Sequence, residues 1–238
     1  MTIFTALFSD YLPDDCGYVV FFRKAGFIKR IINRIINRRG VHIMSLQETP
    51  DREKALNLLK KYNQNESLIR HAYAVESVMR HFAGLKNEDA EKWGIIGLIH
   101  DLDYEKYPDQ HCTKSREILE EEKWPAEYIH AVVSHGWGIC SDVEPESWME
   151  KVLYTIDELT GLVATTAMVR PSKSVLDTTA KSVMKKWKDK RFAAGVDRSI
   201  IENGAKMIGM ELEEVITQTI EGMKKAADAT GLRGNIQV

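Results

Sequence analysis

Cysteine is scarce in this chain. Three cysteines (Cys16, Cys112 and Cys140) in 238 residues are too few and too scattered for a disulfide framework, and no CxxC pair offers a thiolate zinc site. Such sparing use fits a reducing, cytoplasmic compartment. No apolar run reaches the roughly 18 residues of a membrane-spanning helix, so no span is expected. Charge of one sign is also missing. The 33 Lys and Arg against 35 Asp and Glu leave a net charge of -2, whereas a dedicated nucleic-acid binder carries a strong basic excess. The opening residues Met1-Thr2-Ile3-Phe4 have no basic stretch before them and Asp10 soon follows, which is a poor secretory signal. Internal repeats, low-complexity tracts and alternating strand patterns are nearly absent. What remains is ordinary for a soluble globular protein, with 44% apolar and 29% charged residues. The length allows one large domain or two small ones, with a sizeable core.

The balanced charge hides an asymmetry. Residues 1–43 hold seven Lys and Arg against three acids, a net of +4, and the remainder carries -6. That shift suggests a boundary near Met44, which also offers an alternative start of the chain. Within 1–43, Phe27, Ile28, Ile31, Ile32, Ile35 and Ile36 follow helical spacing. Lys29, Arg30, Arg34 and Arg38 fall mostly on the other side. A basic amphipathic helix of this kind either contacts an anionic membrane surface through residues 24–39 or packs its Ile stripe on a protein. The apolar segment from Gly17 to Phe22 has no assigned place.

From Thr49 onward the period is 3.6, and the expected fold is all-α, a compact multi-helix bundle. Domain limits are expected at 44–170 for the main helical domain and 171–238 for C-terminal helices covering the same core. Pro50 opens a helix with Ala55, Leu58 and Leu59 on one side. A second helix carries Leu68, Ala72, Val75, Val78, Met79 and Phe82. Asn87 is expected to cap the third, which turns apolar toward His100. Further helices start near Thr113 and at Pro125. The run from Ser147 to about Val169 ends at Arg170-Pro171. Asp197 caps the next helix, and residues 211–229 form the last. The basic run with Lys185, Lys186, Lys188, Lys190 and Arg191 reads as a solvated face.

The chemistry lies in the histidines. His100-Asp101 ends an apolar helix, and a buried Asp beside a buried His is costly unless paired or bound to metal. His71 lies on the preceding helix, near the side of Val75, Val78 and Phe82. Asp157 follows an apolar stretch in a long helix. The ordered segments RHAYAVE with His71, GLIHDLD with His100 and Asp101, and LYTIDELTG with Asp157 resemble the HD-domain metal-dependent phosphohydrolase superfamily. The resemblance covers about residues 66–165. HCTKSREIL with His111 and AVVSHG with His135 look like the two extra histidines of dinuclear members. His81, His130 and His42 stay outside the expected ligand set.

That resemblance implies a nitrogen-and-carboxylate centre at the middle of the bundle. His71, His100, Asp101 and Asp157 would hold one divalent metal. His111 and His135 would hold a second, with Asp101 bridging. Iron, manganese, cobalt, nickel and zinc all suit such ligands. Each imidazole should also hydrogen-bond an acceptor through its other nitrogen. The implied activity is hydrolysis of a nucleotide or other small phosphate ester by metal-activated hydroxide. Asp101, Asp103 and Lys114 are the catalytic candidates, and Arg70, Lys106, Arg170 and Lys173 the candidates for binding the substrate's negative charge. Asp103 and Glu105 read either as proton donors or as acceptors behind the ligands. Tyr104 and Trp137 read as packing residues or as aromatic surfaces for a base. In the members that cleave cyclic dinucleotides a Gly-Tyr-Pro follows the histidine matching His135, where this chain has GWGIC. Two alternatives stay open on the same resemblance: a mixed-valent diiron oxygenase, and a degenerate nucleotide-binding module.

Overall fold

A computed structural model describes residues 50–236. The expected N-terminal helix and its membrane-surface contact, the 17–22 segment, Cys16 and His42 lie outside the described residues. Among those described are nine α-helices and no strand: α1 (Arg52–Tyr62), α2 (Glu66–Lys86), α3 (Ala90–Ile99), α4 (Thr113–Glu121), α5 (Ala126–Ser134), α6 (Trp148–Met168), α7 (Ala180–Trp187), α8 (Arg198–Ile208) and α9 (Leu212–Lys225). A short 3-10 turn at Pro108–Gln110 precedes α4. No described helix is long and apolar enough to cross a membrane.

Local chemistry sets the ends of these helices. Asp51 accepts from the Lys54 amide to open α1, and Asn65 accepts from Ser67 to open α2. Asn87 does not cap α3. It closes α2 in the left-handed region at φ 56°, a conformation Asn tolerates, and Asp89 opens α3 by accepting from Glu91 and Lys92. At α6, Ser147 and Glu150 form a reciprocal capping box. Asp197 opens α8, and Gly209 ends it at φ 69°.

The long helix α2 runs through the middle, with α3, α6 and α9 packed around it. Its buried face (Val75, Val78, Met79, Phe82) joins Ile95, Ile96 and Ile99 of α3, Leu153, Ile156 and Leu159 of α6, and Val215, Ile216 and Met223 of α9 in one apolar core. Helix α3 is buried from Trp93 through Ile99, so it has no solvent face to speak of. It comes unusually near α2 at Gly97. A Cβ there would lie 3.1 Å from the Val75 carbonyl oxygen and 3.2 Å from the Glu76 Cα. That close approach brings the C-terminal end of α3 against the first turns of α2. Helix α7 buries Val183 while Lys185, Lys188, Lys190 and Arg191 stay exposed, as a solvated face requires.

Candidate metal centre

Five segments deliver the side chains. His71 comes from α2. His100 continues the helical backbone of α3 at φ -57°, ψ -41°, and Asp101 begins the run of turns beyond it. His111 ends the 3-10 turn, His135 follows α5, and Asp157 lies mid-way along α6. The fold brings all six together. His71 Nε2 lies 3.2 Å from His100 Nε2 and 2.9 Å from Asp157 Oδ1, and His100 Nε2 lies 3.2 Å from the same oxygen. Asp101 Oδ2 is 3.4 Å from His100 Nε2 and 3.7 Å from His71 Nε2. On the other side, His111 Nε2 and His135 Nε2 are 3.1 Å apart. Asp101 Oδ1 is 3.4 Å from the first and 3.5 Å from the second. Asp101 therefore turns one oxygen to each group.

The remaining ring nitrogens fix what these atoms can be. His100 Nδ1 donates to the Gly97 carbonyl at 2.9 Å, and His135 Nδ1 donates to the Val132 carbonyl. His111 Nδ1 donates to Asp103 Oδ1 at 2.7 Å. The Thr160 hydroxyl donates to the Asp157 carbonyl at 2.7 Å, so toward His71 Nδ1, at 3.4 Å, it can only accept. A neutral imidazole with Nδ1–H engaged presents a bare lone pair at Nε2. When the four rings are neutral, four such lone pairs and two carboxylates face one another. Positive charge among His71 Nε2, His100 Nε2 and Asp157 Oδ1, as a shared ring proton or as a bound cation, satisfies all three. Nitrogen and oxygen ligands at about 2.1 Å from an ion stand roughly 3.0–3.4 Å apart in octahedral or tetrahedral arrangements. The observed spacings of 2.9–3.7 Å bracket that range.

The electrostatics favour positive charge in the cluster, whether a ring proton or a cation carries it. Burial opposes a charge on His100, yet the Asp101 and Asp157 carboxylates outweigh burial and raise its pKa well above the imidazole range. Burial likewise opposes charge on Asp101 and Asp157, and the neighbouring imidazoles, His100 foremost, still hold both below the carboxylate range. For His111, burial is outweighed by its hydrogen bond to Asp103 and by the Asp101 charge, so its pKa is raised. The cluster favours positive charge at its centre. Beside it, burial and the Asp157 charge push Glu158 up to about 7.

The inner end of the cluster is dry and the outer end wet. The His100 and His135 side chains are 0% and 2% exposed, against 25% for His71 and 22% for Asp157. Solvent reaches the centre along the His71–Asp157 edge. Tyr104, 45% exposed, stands edge-on to His111 with ring centres 5.1 Å apart. Trp137 instead packs on Tyr154.

Other sequence candidates take different places. Asp103 is fully buried behind His111, accepting from its ring and, through Oδ2, from the Ser115 amide at 2.8 Å. Glu105 accepts from the Gln64 and Asn65 amides and ties down the α1–α2 connection. Lys114 pairs with Glu117 at 2.6 Å, and Lys106 donates to the Lys61 carbonyl. Arg70, one residue before His71, pairs with Glu66 on the outer side of α2. Arg170 lies beyond the end of α6 and grips both oxygens of Asp177. Lys173 is exposed in the turn that follows. None of these five cations is paired with any of the six clustered residues among the described contacts. His130 pairs with Glu150 and His81 with Gln218, both away from the cluster.

Sequence reasoning passed over four contributors. The Gly97 and Val132 carbonyls carry no side-chain signature, although each lies three residues before its histidine. Thr160, three residues after Asp157, had a readable position but an ordinary residue type. Cys112 has φ 67° and ψ -45°, and the Thr113 amide donates to the His111 carbonyl at 2.8 Å across it. This is a γ-turn of the strained kind, centred on a non-glycine residue. It turns the chain sharply between His111 and α4.

No family model matches the chain, and no solved structure matches it. The described fold is helical, and its clustered His and Asp residues form a candidate metal-ligand group.

Proposed function

We propose that this chain is a metal-dependent phosphohydrolase of the HD type, acting on a nucleotide or another small phosphate ester. The observation that carries the reading is Asp101, whose two oxygens each face a separate group of Nε2 lone pairs. The helical fold and the chain order His, His-Asp, Asp are compatible with an HD-like arrangement. His71, His100, Asp157 and Asp101 would hold one divalent transition metal, and His111, His135 and Asp101 a second. The donor set accepts iron, manganese, cobalt, nickel or zinc. Bound there, such ions supply Lewis acidity toward a phosphoryl oxygen and acidify water.

The chain's own residues do the rest. The carbonyls of Gly97 and Val132, the Asp103 carboxylate and Thr160 hold the four rings in one tautomer and orientation. Asp103 is thus a positioning residue. Burial of His100 and His135 keeps water out of the inner end, so a substrate enters past His71 and Asp157. Tyr104 at the rim gives an aromatic edge beside which a base can lie. Arg70 and Lys114 pair with exposed carboxylates and Lys106 with the Lys61 carbonyl, while Lys106 and Lys114 also lie over the Tyr62 and Tyr107 rings; the exposed carboxylate pairings are weak and exchangeable for phosphate oxygens. Arg170 and Lys173 lie beyond the C-terminal end of α6. Met168 is eleven residues past Asp157, roughly 16 Å at about 1.5 Å per residue. They serve only a substrate long enough to span that distance.

The test is His100→Ala and Asp101→Asn, assayed for metal per chain and for phosphate release from a panel of nucleotides and phosphate esters. Both variants should lose hydrolysis and most bound metal while keeping the wild-type helical circular dichroism. Full activity in His100→Ala, or wild-type protein that takes up no metal on reconstitution, defeats the reading.

A further inference from the structure

Cys112 and Cys140 are not ligands in the proposed hydrolysis, although Cys112 Sγ lies within 4.8 Å of ring nitrogens of His111 and His135, and the fold sets the two sulfurs 3.1 Å apart. A disulfide needs about 2.05 Å, so closing the gap takes roughly 1 Å of side-chain movement. Both partners are held by backbone. The γ-turn fixes Cys112, and a turn in which the Gly136 carbonyl accepts from Ile139, Cys140 and Ser141 at 3.0–3.1 Å fixes Cys140. Gly136 makes the meeting sterically feasible, since a Cβ there would overlap both sulfurs. Its backbone conformation is open to other residues, so the missing side chain provides space rather than torsional freedom.

The two thiols differ in access. Cys112 is 0% exposed. Both cysteines line an open groove of ≈ 770 Å³ with Arg116, Trp137, Ile139 and Ser141, but only Cys140 is partly exposed there. Two cysteines packed only as small apolar groups would not need one of them exposed in a groove. A buried thiol in contact with one open to the groove is the arrangement that thiol–disulfide exchange uses.

We propose that Cys112 and Cys140 are a redox-modification site that forms a reversible intramolecular disulfide with a low-molecular-weight disulfide as oxidant. In the first step Cys140 Sγ attacks one sulfur of the oxidant. A mixed disulfide forms on Cys140 and one thiol leaves, carrying the proton that Cys140 gave up. In the second, Cys112 Sγ attacks Cys140 Sγ and expels the second thiol, which takes the Cys112 proton. Two protein thiols are oxidised by two electrons, and one small disulfide is reduced to two thiols. The bond ties the residue after His111 to the loop after His135, and so fixes the separation of those histidines.

The full-length reduced protein is equilibrated with glutathione and glutathione disulfide at increasing ratio, alkylated, and read by intact and peptide mass spectrometry. The expected product has lost two hydrogens. Its Cys112 and Cys140 peptides are joined, alkylation of both falls by about tenfold or more, and excess glutathione reverses the change. Cys112→Ser should stop at a glutathione adduct on Cys140, and Cys140→Ser should leave Cys112 reduced. In Gly136→Ala the cross-link yield should drop while Cys140 still accepts glutathione. A wild-type protein that accumulates the Cys140 adduct without the internal bond, that pairs Cys16 instead, or that keeps both thiols alkylatable overturns the proposal.

Discussion

Asp103 shows how much of the centre is built behind the ligands. Its two oxygens are fully used, one on His111 Nδ1 and one on the Ser115 amide. Asp103→Asn keeps an oxygen for the ring but removes the charge and turns an NH2 toward the Ser115 amide. Metal affinity should fall by about 10–100-fold, as outer partners of metal-binding histidines typically contribute, with circular dichroism unchanged. Metal retained per chain after dialysis against graded chelator reads the effect, and wild-type retention would assign Asp103 to packing alone. At this scale the sequence was legible where the chemistry belongs to side chains. His71, His100, Asp101, His111, His135 and Asp157 stand out by type and order, and they converge. The rings' carbonyl partners were not legible, because a backbone carbonyl is the same at every position. The cations beside the motifs were legible as residues, but proximity in sequence did not carry them into contact with the cluster. Arg170 found Asp177 and Lys114 found Glu117 instead.

At the scale of the helices, two features set the centre's geometry. The first is the approach of α3 to α2 at Gly97. Gly97→Val forces a branched side chain against the Val75 carbonyl and the Glu76 backbone. It should cost about 1–3 kcal/mol in urea unfolding, as overpacking does, and should also displace the carbonyl that orients His100. A variant as stable as wild type would show that the two helices part freely. The second is the N-terminus of α6, the helix that carries Asp157. Burial pushes the Glu150 pKa up, but hydrogen bonds from the Ser147 and Glu146 amides and from His130 win, so it is lowered in the folded chain. A lowered carboxylate contributes stability that is present above its unfolded value of about 4.3 and is lost as pH falls through the folded value. Glu150→Gln should therefore destabilise by on the order of 1 kcal/mol at neutral pH. The difference should shrink as the wild type itself takes up the proton in acid. Thermal melts of both proteins across that pH range check the sign. The helices were legible from apolar period and cap residues almost throughout. The α2–α3 junction was misread because Asn87 and Asp89, both cap-type residues, stand two apart. Nothing local says that the first closes one helix and the second opens the next.

Over the whole described body, the centre gathers side chains from α2 and α6 and from the segments that follow α3, precede α4 and follow α5. These stretches lie far apart in the chain, so their convergence exists only when the bundle is folded. An ion held there binds the folded state and not the open chain, and must stabilise it by mass action. At free metal about 100 times the dissociation constant the gain is about 2.7 kcal/mol, which for a chain of this size raises the unfolding midpoint by roughly 5–10 °C. Adding manganese or zinc to metal-stripped wild type should produce that rise, and chelator should reverse it. In His100→Ala, which keeps His111, His135 and Asp101 for the second ion, the rise should be clearly smaller than in wild type. That contrast separates binding at the centre from weak association with surface carboxylates, which the variant would retain. If wild type and His100→Ala shift equally, the six residues are a hydrogen-bonded polar cluster, and the hydrolase reading falls with the metal. If wild type shifts more than the variant, elemental analysis of protein purified without added metal then chooses among the chemistries the donor set allows. Iron together with oxygen consumption would favour oxygenase chemistry, and manganese, cobalt, nickel or zinc with oxygen-independent turnover would favour hydrolysis.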